Sequence, residues 1–224
     1  MLLVAFLALF GGLSIHQAAA TSLFSFLFTG LLATWLFHSR GSIDWHIAVP
    51  VCAGAVVTGY FGAGAAALID PRPLSIIIAL IIVIAGLYVL VPVKITARQR
   101  DGRGGSGEQI LLSVVGGAAG FGSGFSGAGG PLFSVPLMVI LGYAPLAAVA
   151  TSQVLQIIAA ISGSLGNLRH GFIDWHTAAL ITVFELAGLV IGVRLAHVAS
   201  ALVLRRLAGA LCVISGGLLL WRSL

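Results

Sequence analysis

Hydrophobic positions along this chain fall into long apolar runs separated by short polar segments. A helix needs about 20 residues to cross a bilayer. The runs that reach this length cover residues 14–37, 46–68, 74–92, 110–128, 146–168, 174–196 and 201–222. Two further apolar segments, at about 2–11 and 131–141, are too short to cross. They predict half-helices or one arm of a re-entrant hairpin, covered by protein or lining a cavity.

The pattern also repeats, with a constant offset of about 130 residues and no gap. The recurring segments are Thr21-Ser22 with Thr151-Ser152, and Gly41 and Ile43–His46 with Gly171 and Ile173–His176. In a membrane chain, repeated halves are typical of transporters whose site lies between the repeats. We predict an all-α, polytopic membrane protein of two pseudo-symmetric, inverted repeats with broken or re-entrant half-helices.

The predicted domains follow from one polar stretch. Residues 94–107 are rich in glycine and basic residues and form a cytoplasmic linker between a first repeat, 1–93, and a second repeat, 108–224. The first repeat is incomplete, because Met1 aligns with Pro131 and nothing matches Gly116–Gly130. We expect the full fold to include one more helix, about 20 residues long, before Met1. Without that helix, we expect residues 2–11 to lack their packing partner and to leave an open groove beside the site.

The composition indicates that the chain is embedded in a lipid bilayer. Hydrophobic residues make up 59% of the chain and charged residues 8%, whereas soluble domains carry about 25% charged residues. The net charge of +5 comes from basic residues at loops and helix ends, which orient membrane proteins, so we expect no nucleic-acid partner.

The positions of the basic residues distinguish two possible topologies. A topology with three spans plus a hairpin in each half places eight basic residues inside and three outside, whereas one with four plain spans in the second half places seven inside and four outside. The first topology is favoured, and it makes the halves inverted copies.

A glycine-rich stretch is the strongest candidate for a site. Gly116, Gly120 and Gly124 share one helix face, where small residues let another helix approach closely. The run Gly127–Pro131 then predicts a helix break. Such a break at membrane depth frees backbone N–H groups, and the N-terminus of the following half-helix favours an anion.

Hydroxyl and amide side chains near the break and at the repeated Thr-Ser pairs could donate hydrogen bonds to that anion. The alternative is that the hydroxyls bond to their own helix backbone. The residues that we predict to bind substrate are Ser123, Ser126, Gly127, Gly129, Gly130, Thr151, Ser152, Gln153, Thr21 and Ser22. Gln156 follows on the same span and would add a second amide.

Three carboxylates have distinct expected roles. Asp44 and Asp174 precede predicted helices, and we interpret both as N-terminal caps. Glu185 lies near the middle of the span 174–196. A lone carboxylate at that depth is costly and suggests function, so Glu185 is the candidate for proton coupling. The alternative is a protonated side chain bonded to a neighbouring helix.

An enzyme is the rival interpretation. The segment Gly124–Gly127 matches the Gly-x-Ser-Gly motif of rhomboid intramembrane proteases, with Ser126 as nucleophile and His197 as a distant base. A serine nucleophile needs that base within hydrogen-bonding reach. In the favoured topology His197 lies at a cytoplasmic helix end, so we predict that the chain is not an enzyme.

These motifs resemble the TauE/SafE family, the sulfite and organosulfonate exporters. The matching residues are Gly120, Gly124, Gly127, Gly129, Gly130, Val135-Pro136-Leu137, Ala150-Thr151-Ser152 and Gly171–Asp174, and the first half matches from Thr21 to Gly62. Two features depart from the family pattern: Pro131 replaces its third glycine, and the first glycine ladder is missing.

The resemblance implies a multi-pass secondary transporter of the bacterial inner membrane. It would export small sulfur-containing or organic anions, such as sulfite or a sulfonate, with proton coupling. The expected partners are this small anion and the lipid bilayer, with a homodimer left open; no cofactor, metal or catalytic residue is expected. A structural or assembly membrane protein is the remaining alternative, and it would have no polar cluster at the membrane midplane.

Overall fold

The computed structural model describes residues 2–90, 105–170, 172–196 and 201–223, with only the backbone described for 192–196, 201–205 and 208. The described residues are helical and contain no strand. The helices are α1 (Leu2–Leu9), α2 (Ile15–Ser39), α3 (Trp45–Ala67), α4 (Pro71–Leu90), α5 (Ser106–Ser126), α6 (Pro131–Ile140), α7 (Pro145–Leu168), α8 (Trp175–Ala196) and α9 (Ala201–Ser223). The predicted all-α membrane fold is therefore confirmed.

The apolar runs coincide with these helices. Helices α2, α3, α4, α5 and α7 are each long and apolar enough to cross a membrane. The apolar parts of α8 and α9 within the described residues, Trp175–Ile191 and Gly209–Ser223, are shorter. The predicted linker lies largely outside the described residues, as do Gly171 and His197, although α5 already begins at Ser106.

Helices α5 and α6 form a re-entrant hairpin. The Tyr143 hydroxyl, just after α6, donates a 2.6 Å hydrogen bond to Glu108 Oε1 in the first turn of α5. The start of α5 and the end of α6 therefore lie on the same side of the molecule. The chain enters along α5, breaks after Ser126 and returns along α6.

Register-related helices run in opposite directions. The Asp174 N–H, at the start of α8, donates to Thr21 near the start of α2. At the other end of α2, Ile43 packs beside Ala150 near the start of α7. Helices α2 and α7 are thus antiparallel, as inverted halves require. This geometry supports the inverted repeat, which stays a prediction.

The glycine ladder of α5 packs directly on the α3 backbone. A β-carbon at Gly116 would overlap the Val51 carbonyl oxygen, and one at Gly124 would overlap the Gly59 carbonyl oxygen. No residue larger than glycine fits at either position without moving a helix. The predicted close approach along this face is confirmed, and it anchors the hairpin to the membrane-spanning helices.

Both aspartates cap helices, as predicted. The Asp44 carboxylate accepts the N–H of His46 at 2.9 Å, and the Asp174 carboxylate accepts the N–H of Thr177 at 2.7 Å. Hydrogen bonds from Thr177 hold the pKa of Asp174 below its usual range. The Asp174 cap therefore remains charged at neutral pH and interacts favourably with the positive end of the α8 dipole.

Helix α1 packs on one face against other helices of the chain. Val4, Ala5 and Leu7 are buried in a cluster with residues of α2, α4 and α9. Arg222 of α9 also donates hydrogen bonds to the carbonyl oxygens of Ala8 and Leu9, at 3.2 and 2.7 Å. Helices α9 and α2 therefore cover one face of α1, and the expectation that residues 2–11 lack the helix matching α5 stays a prediction.

Candidate functional site

The break between α5 and α6 is built by glycines and is fully enclosed. Helix α5 ends at Gly127, which adopts φ +66° and donates its N–H to the Ser123 carbonyl oxygen. Gly129 adopts φ +85°, and Pro131 then opens α6. Residues 127–130 are all buried. The predicted helix interruption at Gly127–Pro131 is confirmed.

The N-terminus of α6 borders a cavity of about 320 Å³. Gly130 gives α6 no side-chain cap, Pro131 has no N–H, and the Phe133 N–H donates to the Gly130 carbonyl oxygen at 3.2 Å, so Leu132 carries the terminal N–H of the helix. The cavity lies between this terminus and three membrane helices. Its lining residues are Phe26, Thr29 and Ala33 of α2, Ala128, Pro131 and Leu132 of the hairpin, Gln153 and Gln156 of α7, and Leu189 of α8.

Gln156 connects three elements of this cavity. Its Nε2 donates to the Phe26 carbonyl oxygen at 2.9 Å and to Thr29 Oγ1 at 3.1 Å, which links α7 to α2. A β-carbon at Gly130 would lie 3.3 Å from the Gln156 backbone nitrogen, and one at Gly129 would lie 3.5 Å from its Oε1. Glycines at 129 and 130 thus let the hairpin approach Gln156 closely.

The predicted hydroxyls divide into two groups. Ser22, Ser123 and Thr151 are completely buried, and their hydroxyl oxygens have no hydrogen-bond partner among the described residues. Such orphaned groups are rare because burying one without a partner costs about 1–3 kcal/mol. They mark places where a ligand or another conformation could supply a partner.

The other predicted hydroxyls already have partners: Thr21 accepts the Asp174 backbone N–H at 3.1 Å, and Ser126 and Ser152 bond locally. Ser126 Oγ donates to the Gly122 carbonyl oxygen at 2.7 Å and accepts the Ala128 N–H at 3.3 Å. Ser152 Oγ donates to the Val149 carbonyl oxygen at 2.7 Å. These two side chains therefore complete their own helix ends and turns. For Ser126 and Ser152, the alternative that such hydroxyls bond to their own helix backbone therefore applies.

Only one of the ten predicted binding residues lines the cavity itself. Gln153 faces it, with its Nε2 3.5 Å from Ser152 Oγ. Thr29 lines the cavity but was absent from the predicted set, because a lone threonine within an apolar span carries no distinguishing pattern. Gln156 had a signal, since an amide in a membrane span is unusual, but its link to α2 is a tertiary contact.

Glu185 lies one turn before the cavity residue Leu189 on α8. Its side chain is partly buried, and its Oε2 is buried without a hydrogen-bond partner in the part of the chain that is described. The Ser25 side chain of α2 interacts with the same carboxyl group. The carboxyl therefore lies between α8 and α2, next to the helix that carries Thr29.

A second, larger cavity has a different character. It occupies about 580 Å³ between α4 and α6 and is lined almost entirely by apolar side chains, including Ile81, Ile84 and Phe133. Tyr88 supplies the one hydroxyl of its lining. Such a surface suits lipid chains rather than an anion, so the smaller cavity is the better candidate for a polar site.

Catalytic chemistry finds no support among the described residues. Ser126 bonds only to backbone groups, and its predicted base His197 lies outside the described part of the chain. No group of three or more His, Cys, Asp and Glu side chains that could hold a metal occurs within the described ranges. The arrangement instead offers amides, hydroxyls and helix N–H groups, which bind anions without reacting with them.

A polytopic helical membrane protein with a buried hairpin beside a cavity that contains two amides and a hydroxyl has the features of a membrane transporter. The chain belongs to the TauE/SafE sulfite exporter family, whose model matches residues 1–219. It is a multi-pass membrane protein, consistent with the bacterial inner membrane. The resemblance drawn from its motifs is thereby confirmed.

Two Bacillus subtilis (strain 168) proteins are similar to it. The "Probable membrane transporter protein YdhB" is 26% identical over 220 residues, which cover 97% of this chain and 90% of that protein. The "Probable membrane transporter protein YunE" is 24% identical over 182 residues, which cover 75% and 67% of the two chains. No solved structure matches the chain significantly.

Proposed function

We propose that this chain is a secondary transporter that exports a small sulfur-containing or organic anion, such as sulfite or a sulfonate. The observation that carries the proposal is the 320 Å³ cavity at the uncapped N-terminus of α6, bordered by Gln153, Gln156 and Thr29. Amide and hydroxyl donors beside a helix N-terminus favour negative charge.

The size and lining of the cavity favour a small ligand. Its lining residues include no charged side chain, so binding would depend on dipoles and hydrogen bonds rather than on an ion pair. The family description supports sulfite as a candidate substrate. The completely buried hydroxyl of Ser123, on the hairpin arm before the break, would add a donor on the same hairpin.

A thermal-shift screen tests binding directly. The purified protein in detergent is heated with sulfite, sulfoacetate, taurine, sulfate or acetate. A ligand at 100 times its Kd stabilises the folded state by about 2.7 kcal/mol. We expect at least one anion to raise the melting temperature in a saturable manner.

Matched variants connect that signal to the cavity. Gln153→Met removes a cavity amide, whereas Gln109→Met alters an exposed glutamine in the first turn of α5. The stabilisation should weaken only in the Gln153 variant. If no anion stabilises the parent, or if both variants respond like it, the cavity is not the anion site.

We further propose that Glu185 carries a coupled proton. Its carboxyl is partly buried within a membrane helix, and one oxygen has no partner among the described residues. Because a charged carboxylate is unfavourable there, protonation and deprotonation could accompany substrate movement. The Ser25 contact and the Leu189 neighbour connect this group to the helices around the cavity.

Transport in proteoliposomes tests the coupling. Glu185→Gln should leave expression intact and remove the dependence of anion flux on an imposed pH gradient. Asp70→Asn, in the exposed α3–α4 loop, is the control and should behave like the parent. Equal gradient dependence in the Glu185 variant and the parent would return Glu185 to a structural role.

A further inference from the structure

The two repeated Thr-Asp pairs differ in this structure. Thr21 Oγ1 accepts the backbone N–H of Asp174 at 3.1 Å, which joins α2 to the start of α8. The register-related pair is Thr151 and Asp44. Thr151 is also completely buried, but its hydroxyl has no partner among the described residues. The Thr21–Asp174 hydrogen bond is therefore formed, whereas the corresponding Thr151–Asp44 bond is not.

The segments that carry Thr151 and Asp44 nonetheless pack in the same cluster. Ile43, which precedes Asp44, packs in one buried cluster with Ala150, which precedes Thr151. The Asp44 cap is built like the Asp174 cap, since each carboxylate accepts an N–H from the first turn of its helix. The difference therefore lies in the link between Thr151 and the Asp44 backbone.

The packing of the short helices also differs between the two sides of the molecule. On the side where Thr21 lies, α1 packs on α9, and Arg222 bonds to the Ala8 and Leu9 carbonyl oxygens. Their register-related partners, α6 and α4, lie on the side of Thr151. A cavity of about 580 Å³ separates those two helices. The gap between helices is thus smaller on the Thr21 side, at about 210 Å³ among α1, α2, α4 and α9, than on the Thr151 side.

We propose that Thr151 is a positioning residue that accepts the Asp44 N–H in an alternative state, in which the Thr21–Asp174 bond is broken. Each state then contains one such bond and one unpartnered threonine hydroxyl. Exchanging like for like keeps the two states close in free energy, so both can be populated. The exchange of bonds rests on the proposed function, because a carrier with its site between inverted repeats must open to each side in turn.

Amide hydrogen exchange tests the proposal without any substrate. The Asp174 amide is protected in the present state and exposed in the alternative one, so its exchange reports the alternative population. Thr151→Val removes the bond that would stabilise that alternative state. One neutral hydrogen bond changes the ratio of two states by about fivefold. Exchange at Asp174 should therefore slow by about fivefold, although Thr151 lies at the opposite end of the helix pair α2 and α7.

Two further variants identify the cause. Thr151→Ser keeps the hydroxyl and should exchange like the parent. Ser152→Ala, one residue along, removes only contacts within α7, with the Val149 carbonyl oxygen and with Gln153 Nε2, and should also leave Asp174 unchanged. Thr21→Val should accelerate exchange at Asp174 and slow it at Asp44.

The outcomes separate this proposal from the proposed function. Unchanged or faster exchange at Asp174 in Thr151→Val, in a monodisperse protein, would overturn the exchange of bonds. If Thr151→Val does not fold, Thr21→Val decides, because faster exchange at Asp174 with no change at Asp44 would also overturn it. Failure to bind or move any anion, with the exchange results as expected, would instead refute the anion-transport function.

Discussion

Gly127 ends the first arm of the hairpin, and replacing it with alanine tests how tightly the break is held. Its φ of +66° is a left-handed conformation, which costs a residue with a β-carbon about 1–2 kcal/mol. The new β-carbon would also overlap the carbonyl oxygen of Ala19 on α2. Overpacking against backbone costs about 1–3 kcal/mol. The total loss of stability for Gly127→Ala is therefore about 2–5 kcal/mol.

Two other glycines isolate the components of this loss. Gly41 has the same φ of +66°, but nothing lies within 4 Å of a β-carbon placed there. Gly41→Ala should therefore show only the conformational cost of about 1–2 kcal/mol. Gly188, in α8, has neither a positive φ nor a neighbour within 4 Å. Gly188→Ala should be neutral or slightly stabilising, because alanine favours helix by up to about 1 kcal/mol.

Thermal unfolding monitored by fluorescence of the four tryptophans provides the measurement. In a soluble chain of about this length, 1 kcal/mol shifts the melting temperature by about 2–4 °C, and we take the same scale here. All variants are heated at one rate, since unfolding of membrane proteins is often irreversible. We expect the melting temperature to fall in the order Gly188→Ala, Gly41→Ala, Gly127→Ala. If the melting temperature of Gly127→Ala equals that of Gly41→Ala, the hairpin moves away from Ala19 to accommodate the new β-carbon, and the break is not rigidly held.

Two further predictions concern groups outside the cavity. Asp174→Ala should lower the melting temperature at neutral pH, because the charged cap on α8 is lost. The pKa of Asp174 in the folded protein is lowered. The difference in melting temperature between variant and parent should therefore persist down to about pH 4, the ordinary aspartate pKa, and shrink only as the pH falls further. If the difference disappears nearer pH 6, Asp174 is not the charged cap. Tyr143→Phe should destabilise the protein by about 1–3 kcal/mol, because it breaks the bond to Glu108 that joins the two ends of the hairpin. Tyr88→Phe, at the apolar cavity, is its control in the same melting experiment, and equal melting temperatures for the two variants would argue against a role for that bond.

Local features of the chain predicted the elements well. The helix break after Ser126 followed from glycines and a proline within five positions, because these residues interrupt a helix wherever they occur. The caps at Asp44 and Asp174 followed from a short acidic residue before an apolar run. The close approach of another helix to α5 followed from glycines four residues apart, which share a face in any α-helix, although only the structure identified that helix as α3. Each of these depends only on residues within a few positions.

The candidate site was predicted less completely. Gln153 was correctly placed at the cavity, but Thr29 was missed, and Ser126 and Ser152 proved to be bonded within their own helices. A hydroxyl in a helix can bond to the preceding turn or reach a neighbouring helix, and sequence spacing does not distinguish these outcomes. The choice depends on helix rotation, and successive residues point about 100° apart.

The sequence by itself determined the solvent, the helices, the break and the offset that relates the two halves. Only the tertiary structure decided that Thr21 is bonded to Asp174 while Thr151 has no partner in the described chain. The Thr-Ser and Ile-Asp-Trp-His motifs are the same in both copies, so these motifs by themselves cannot separate the two. The difference arises from how α8 and α3 sit against α2 and α7, which is a property of packing between distant residues.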